Sequence, residues 1–150
     1  MNLLLKFQYI LARILAKETR YRLALLVLEK EKDKLNSDKL TFWAQQTALK
    51  KLIKNHCFKG VVNKEGLFQE QRRLAVLRRQ LLLITHQYNQ TEELLKNNNI
   101  KKLETLNLIK ICAHSADKYK IIISKEMVIK HKKHDQINEE EIEEIILWRK

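Results

Sequence analysis

The residues whose types and spacing could support chemistry are few. Cys112-x-His114 and His131-x-x-His134 contain side chains of the kind that bind zinc. On a continuous helix His131 and His134 share a face, but Cys112 lies about 20 residues before them, or roughly 30 Å away. The spacing therefore favours solvated histidines on a polar helix face over a structural zinc site.

A second candidate is the adjacent pair His56-Cys57, which could form a thiol nucleophile beside an imidazole base. Neighbouring positions on a helix point about 100° apart, so the two side chains would not face each other. Phosphate chemistry is disfavoured too, because neither Gly60 nor Gly66 belongs to a phosphate-binding loop. We therefore predict a protein that is not an enzyme, with no catalytic residues, metal or other cofactor.

The elements that must position any binding surface are long helices. The 150-residue chain has no proline and only two glycines, and both glycines lie between Phe58 and Leu67. Proline breaks helix interiors and glycine costs about 1 kcal/mol there, so a chain that avoids both elsewhere can form long helices. We predict an all-α fold, a single domain over 1–150 in which two long helices form an antiparallel coiled-coil hairpin. Helix one is predicted over about 3–57, the turn over about 58–64, helix two over about 65–137 and an acidic tail over about 138–150.

Apolar residues recur at intervals of seven along both predicted helices, which is typical of a coiled-coil seam. In helix one the repeated position holds Ile14, Tyr21, Leu28, Leu35, Phe42 and Leu49. In helix two it holds Leu67, Leu74, Leu81, Tyr88 and Leu95, with Leu77 and Ile84 at the companion position. The companion position of helix one is charged at 31–32 and 38–39, which predicts a narrow and wet seam there.

Three asparagines, Asn97 to Asn99, interrupt the second ladder, and asparagine is a poor helix-interior residue. The sequence leaves open whether the helix continues through them or breaks. The pattern resumes with Leu103, Leu106, Ile109, Ala113 and Ala116. A reversal near residue 62 would place Leu28 near Leu95. Helix one would then have no residues left to pair with helix two beyond about residue 121. The apolar residues of 121–150 would then need another partner to cover them.

The charge balance predicts acidic partners. The formal net charge is +12, with 30 Lys and Arg against 18 Asp and Glu, and such an excess attracts acidic protein surfaces, nucleic acid or anionic lipid. A count of two cysteines fits a reducing compartment. Lys6 and Arg13 interrupt the apolar run that a signal peptide would need. We expect a cytoplasmic protein with no membrane insertion.

The turn is the predicted binding site, because it gathers apolar residues that have little core to bury them. These residues are Phe58, Val61, Val62, Leu67 and Phe68. They can cap the end layer of the coiled coil, form an interaction surface, or do both.

A basic run follows the turn, with Arg72-Arg73 and Arg78-Arg79 on the first turns of helix two. It fits a solvated helix face first, an acidic protein partner second and nucleic-acid phosphates third. Nucleic acid ranks last because aromatic residues for base stacking are missing beside the arginines.

Part of the chain resembles a known family. The stretch Asn63-Lys64-Glu65-Gly66-Leu67-Phe68, followed by Arg72 or Arg73 and by Ala75-Val76-Leu77-Arg78-Arg79-Gln80-Leu81, resembles the start of the second helix in small type III secretion stalk proteins. These proteins form the YscO/FliJ-like family, and the chain is most similar to its InvI-type invasion injectisome branch. The acidic, isoleucine-bearing ending, 139–146, is similar to the tail in that branch. Gly66 stands where the family pattern has a glutamate.

The resemblance implies a central stalk that resembles the γ shaft of rotary ATPases. Such stalks link the hexameric secretion ATPase to the cytoplasmic ring of the export gate, and some also handle secretion chaperones. It assigns the tip, Phe58 to Phe68, to the gate and the end with both termini to the ATPase. The alternatives are a coiled-coil secretion chaperone or adaptor and, after it, a basic nucleic-acid-binding protein.

Overall fold

The chain folds into two helices. The computed structural model describes residues 2–55 and 64–149, which form α1 (Leu3–Lys54) and α2 (Lys64–Trp148). Contacts pair Gln46 with Thr85, Leu28 with Asn98 and Phe7 with Tyr119, so the partner on α2 lies later in the chain as the residue on α1 lies earlier, and the helices pack antiparallel as a hairpin. The predicted fold class is confirmed. Most of the predicted turn, including Phe58, Val61 and Val62, lies outside the described residues, as does the pair His56-Cys57 at the predicted end of helix one.

Both helices begin with favourable local interactions. The Asn2 side-chain oxygen accepts a 3.4 Å hydrogen bond from the backbone N–H of Leu4, the usual role of an N-cap asparagine. Glu65 lies in the first turn of α2, where the helix dipole stabilises a carboxylate. Lys51 and Lys54 lie in the last turn of α1, where the dipole stabilises a cation.

The second helix is longer than the sequence indicated. It was expected to end near 137, but α2 continues through the acidic segment 138–144 to Trp148. Glutamate and isoleucine both fit a helix at a cost of well under 1 kcal/mol each, so this segment has no local helix breaker. The helix is also continuous through Asn97 to Asn99, the point that the sequence left open.

The contacts of the hairpin group into two units. The tip unit joins residues 26–54 of α1 to residues 64–103 of α2, and the terminal unit joins residues 2–25 to residues 104–149. Each unit contains its own part of both helices. The assignment of the whole chain to one domain stays a prediction.

The seam of the tip unit mixes apolar and polar layers. The ladder residues Leu28, Leu35, Phe42 and Leu49 are half-buried, as are Leu74, Leu77, Leu81, Ile84, Tyr88 and Leu95 on α2. Between them Gln46 Nε2 donates a 3.1 Å hydrogen bond to Thr85 Oγ1. Lys39 Nζ lies 3.5 Å from Glu92 Oε1 and 5.7 Å from the centre of the Tyr88 ring. At the charged positions of the predicted seam, Lys32, Asp38 and Lys39 are half-buried.

Asn98 sets the register of the tip unit. Its side chain is only 5% exposed, and its Nδ2 donates a 3.1 Å hydrogen bond to the backbone oxygen of Leu28. Leu28 therefore lies beside Asn98, three residues beyond the expected Leu95. Two ladders of period seven leave the register open by a few residues, and this buried amide removes the ambiguity.

Replacement of Asn98 by leucine is expected to raise thermal stability. The Oδ1 atom of Asn98 is buried without a hydrogen-bond partner among the described residues, and an unsatisfied buried polar atom costs about 1–3 kcal/mol. Leucine would remove that cost and suit a coiled-coil seam. We expect a gain of about 1 kcal/mol or more in the free energy of unfolding, measured by thermal and urea unfolding followed by circular dichroism. Asn97→Leu, at an exposed neighbouring position, is the control, and an equal gain there would contradict the assignment.

The terminal unit has the best-buried apolar layers of the described chain. Ile109, Ala116 and Ile123 are buried at intervals of seven, and Ile14 and Tyr21 on α1 are half-buried. The rings of Phe7 and Tyr119 also meet, with centroids 6.1 Å apart. The small side chain of Ala116, 2% exposed, allows the two helices to approach closely there.

Two details of the predicted ladder on α2 were wrong. Leu103 was predicted to lie on the seam but is 60% exposed. The seven-residue repeat of Leu81, Tyr88 and Leu95 continues through the asparagines to Lys102, so Lys102 is half-buried in place of Leu103. The sequence predicted that the second helix is unpaired from residue 121 onward, but Ile123 is buried. Every residue from 127 to 149 is exposed, so the exposed segment begins near 127. None of the described helices combines the length and apolar character needed to cross a bilayer.

Candidate protein-binding site

Four exposed residues on the first turns of α2 form one surface, the tip stripe: Phe68, Arg72, Val76 and Arg79. Their spacing of four, four and three residues places them on one face of the helix. Leu74, Leu77 and Leu81, which face the seam, lie on the opposite side. Phe68 and Val76 are 59% and 55% exposed. An apolar pair that alternates with arginines on a solvent-facing helix is suited to bind another protein.

Among the described residues, the other predicted site residues are Leu67, Arg73 and Arg78, and they flank this stripe. Arg73 and Arg78 are exposed on its two sides, and Arg73 Nη1 lies 3.6 Å from Glu70 Oε1. Leu67 is 38% exposed and lies between the stripe and the seam. Val76 was not singled out from the sequence, although its position eight residues after Phe68 was the signal that could have found it.

The tip carries a concentrated positive charge. Residues 50–55 and 64–80 hold eight Lys and Arg against two Glu, a net charge of +6, which is half of the +12 of the chain. Lys50, Lys51 and Lys54 at the end of α1 are exposed and add to the arginines of α2. Apolar side chains surrounded by cations are complementary to a protein surface that is apolar at its centre and acidic at its rim.

The geometry of the described residues gives little support to the metal hypothesis. Among residues 2–55 and 64–149, no three His, Cys, Asp or Glu side chains are placed to share a metal ion. His131 Nε2 instead lies 3.8 Å from Asp135 Oδ2. Cys112 is a half-buried free thiol in the terminal unit. The pair His56-Cys57 falls outside the described residues.

A comparison with protein families decides the class of the chain. The family model of the Salmonella surface presentation of antigen gene type M protein matches residues 5–146, which is nearly the whole sequence and includes the tip stripe. The chain belongs to this family. Membership in the SPAM family makes it a stalk-type protein of type III secretion, and it confirms the resemblance to the InvI-type branch.

The SPAM family is a family of structural stalk proteins and is not known as an enzyme family. No curated protein gives a significant match to the chain. No solved structure does so either.

Proposed function

We propose that the chain is the central stalk that couples the secretion ATPase to the export gate during type III protein secretion, at the cytoplasmic face of the apparatus. The observation that carries the proposal is the SPAM family match over residues 5–146. A hairpin of two long helices with few buried residues also suits a protein that works by contacts with partners.

The two units would serve different partners. The tip stripe, with its apolar pair and basic surroundings, would bind the cytoplasmic ring of the export gate. The terminal unit would bind inside the ring of the ATPase hexamer. Exposed apolar groups at both sites support this division, because isolated apolar patches of this kind commonly mark protein interfaces.

The ATPase assignment predicts a defined stoichiometry. The purified chain is expected to bind the hexameric secretion ATPase at about one copy per ring and to raise its rate of ATP hydrolysis, since an asymmetric stalk has room for one copy on the ring axis. Native mass spectrometry and a phosphate-release assay would measure both. A chain that ignores the ATPase but binds a secreted effector would instead be a secretion chaperone or adaptor.

The basic tip makes a nucleic-acid partner the second candidate. Attachment through phosphates alone weakens steeply with salt, by orders of magnitude between about 50 and 200 mM. We expect duplex DNA binding by this chain to vanish by about 200 mM salt in fluorescence anisotropy. Tight binding that persists at that salt concentration would favour a nucleic-acid-binding function over the stalk.

A further inference from the structure

The last part of α2, residues 127–148, together with Arg149 is exposed along its whole length, and residues 127–149 are called here the C-terminal extension. Nine of its large apolar side chains are about half exposed or more: Met127, Val128, Ile129, Ile137, Ile142, Ile145, Ile146, Leu147 and Trp148. Most helical stability in water comes from packing of an apolar face, and an isolated helix of this length is marginal. The extension therefore needs a partner.

One stripe of the extension has the spacing of a coiled-coil seam. Val128, His131, Asp135, Asn138, Ile142 and Ile145 follow one another at alternating intervals of three and four residues. At about 100° per residue, this stripe begins at Val128 about 140° around the helix from the buried Ile123 and lies on average about 90° from it. It therefore does not prolong the seam between α1 and α2, and it must pack against a different helix.

The charge of the extension selects the partner. Residues 127–136 hold three Lys against one Asp, a net charge of +2, whereas residues 137–149 hold five Glu against one Arg, a net charge of −4. Two copies aligned in parallel would oppose like charges. Two copies aligned antiparallel would oppose the basic half of each to the acidic half of the other. We propose that, in the chain that is not bound to the ATPase, the C-terminal extension pairs antiparallel with the same segment of a second copy of this chain.

The seam residues match in this antiparallel arrangement. Val128 would lie level with Ile145 of the second copy, and His131 with Ile142 of the second copy. Each layer occurs twice because the pairing is two-fold symmetric, and such an interface closes at two copies. The exposed Met127 would also flank the indole of Trp148 of the second copy, which covers two more apolar side chains.

A polar layer at the centre and charged flanks fix the register of the pair. Asp135 would lie level with Asn138 of the second copy, again twice, where the amide can donate a hydrogen bond to the carboxylate; buried polar residues of this kind specify coiled-coil orientation. Lys132 would lie beside Glu139 of the second copy, again twice. Coiled coils use such flanking pairs to choose their partners.

The test is the oligomeric state of the full chain. Sedimentation equilibrium at up to about 200 μM protein is expected to show a monomer and a dimer, with a dissociation constant that rises with salt. Ile145→Asp is expected to remove the dimer and to leave the helical circular dichroism of the hairpin unchanged, because Ile145 is exposed in the single chain. A chain that stays monomeric at this concentration would overturn the proposal.

A charge swap tests the register. Lys132→Glu and Glu139→Lys are each expected to raise the dissociation constant by roughly tenfold, since each change makes two symmetric pairs repulsive, and the double variant is expected to restore it. Lys133→Glu is the matched control, because Lys133 lies nearly opposite the stripe. An equal loss in the control, or no recovery in the double variant, would overturn the pairing. A monomeric chain whose Ile145→Asp variant loses only ATPase binding would assign the stripe to the ATPase. The sedimentation and charge-swap measurements use no secretion component, so the pairing succeeds or fails independently of the proposed stalk function.

Discussion

Replacement of Phe68 by aspartate is expected to reduce binding to the cytoplasmic ring of the export gate below detection. Phe68 is the largest apolar side chain of the tip stripe and is 59% exposed. A buried carboxylate in place of an aromatic anchor at an interface typically costs about 2 kcal/mol or more, which is roughly thirtyfold in the dissociation constant. Biolayer interferometry with the immobilised gate domain would measure the loss. The helical circular dichroism is expected to stay unchanged, because the side chain is not part of the seam.

Leu82→Asp is the matched control for this experiment. Leu82 is on the same helix and is 71% exposed, and it lies about 21 Å along the helix from Phe68. The Leu82→Asp change introduces the same negative charge outside the tip stripe, so we expect this variant to bind the gate about as well as the unchanged chain does. Normal binding by the Phe68 variant, or an equal loss in the Leu82 variant, would remove the tip stripe from the gate interface.

Replacement of Ala116 by glutamate is expected to have the largest effect on stability. Ala116 is 2% exposed and has the lowest exposure of the buried residues, so a longer side chain has no room and its charge would be desolvated. Overpacking costs about 1–3 kcal/mol, and burial of an unpaired charge adds several more. In a hairpin with so thin a core we expect the terminal unit to unfold at ordinary temperature. Circular dichroism and amide hydrogen exchange over 104–126 would show the loss.

Ala12→Glu is the control for the stability measurement. Ala12 belongs to α1 of the same unit and is exposed, so glutamate there is expected to change the free energy of unfolding by no more than about 0.5 kcal/mol. Equal destabilisation by both variants would show that added negative charge in the terminal unit, rather than packing at Ala116, controls stability.

The fold was predictable because its main signal is local and periodic. The absence of proline and the seven-residue ladders indicated two helices and their seam, and Leu35, Phe42 and Leu81 are half-buried as the ladder requires. The register was not predictable, since it depends on one side chain that meets a backbone oxygen 70 residues away. From the sequence alone, Asn98 was one of three asparagines that interrupt the apolar ladder. In the structure its burial makes it part of the seam.

The candidate site was predictable in its residue types but not in its geometry. The sequence singled out Phe68 as an apolar residue of the turn and the arginines as two basic pairs. Only the continuous helix from Lys64 shows that Phe68, Arg72 and Arg79 share one face with Val76. The exposed lysines at the end of α1 were missed because their proximity to the arginines depends on the hairpin. Beyond residue 127 the sequence correctly indicated uncovered apolar residues, but it placed the acidic segment in a tail rather than in the helix.

A reconstitution of all three components tests the central claim most directly. The secretion ATPase hexamer, the cytoplasmic ring of the export gate and this chain would be mixed and separated by size-exclusion chromatography with mass detection. The stalk account predicts that ATPase and gate elute together only when the chain is present, and that the Phe68→Asp variant retains the ATPase but releases the gate. Elution of the ATPase and the gate as separate peaks in the presence of the unchanged chain would contradict it.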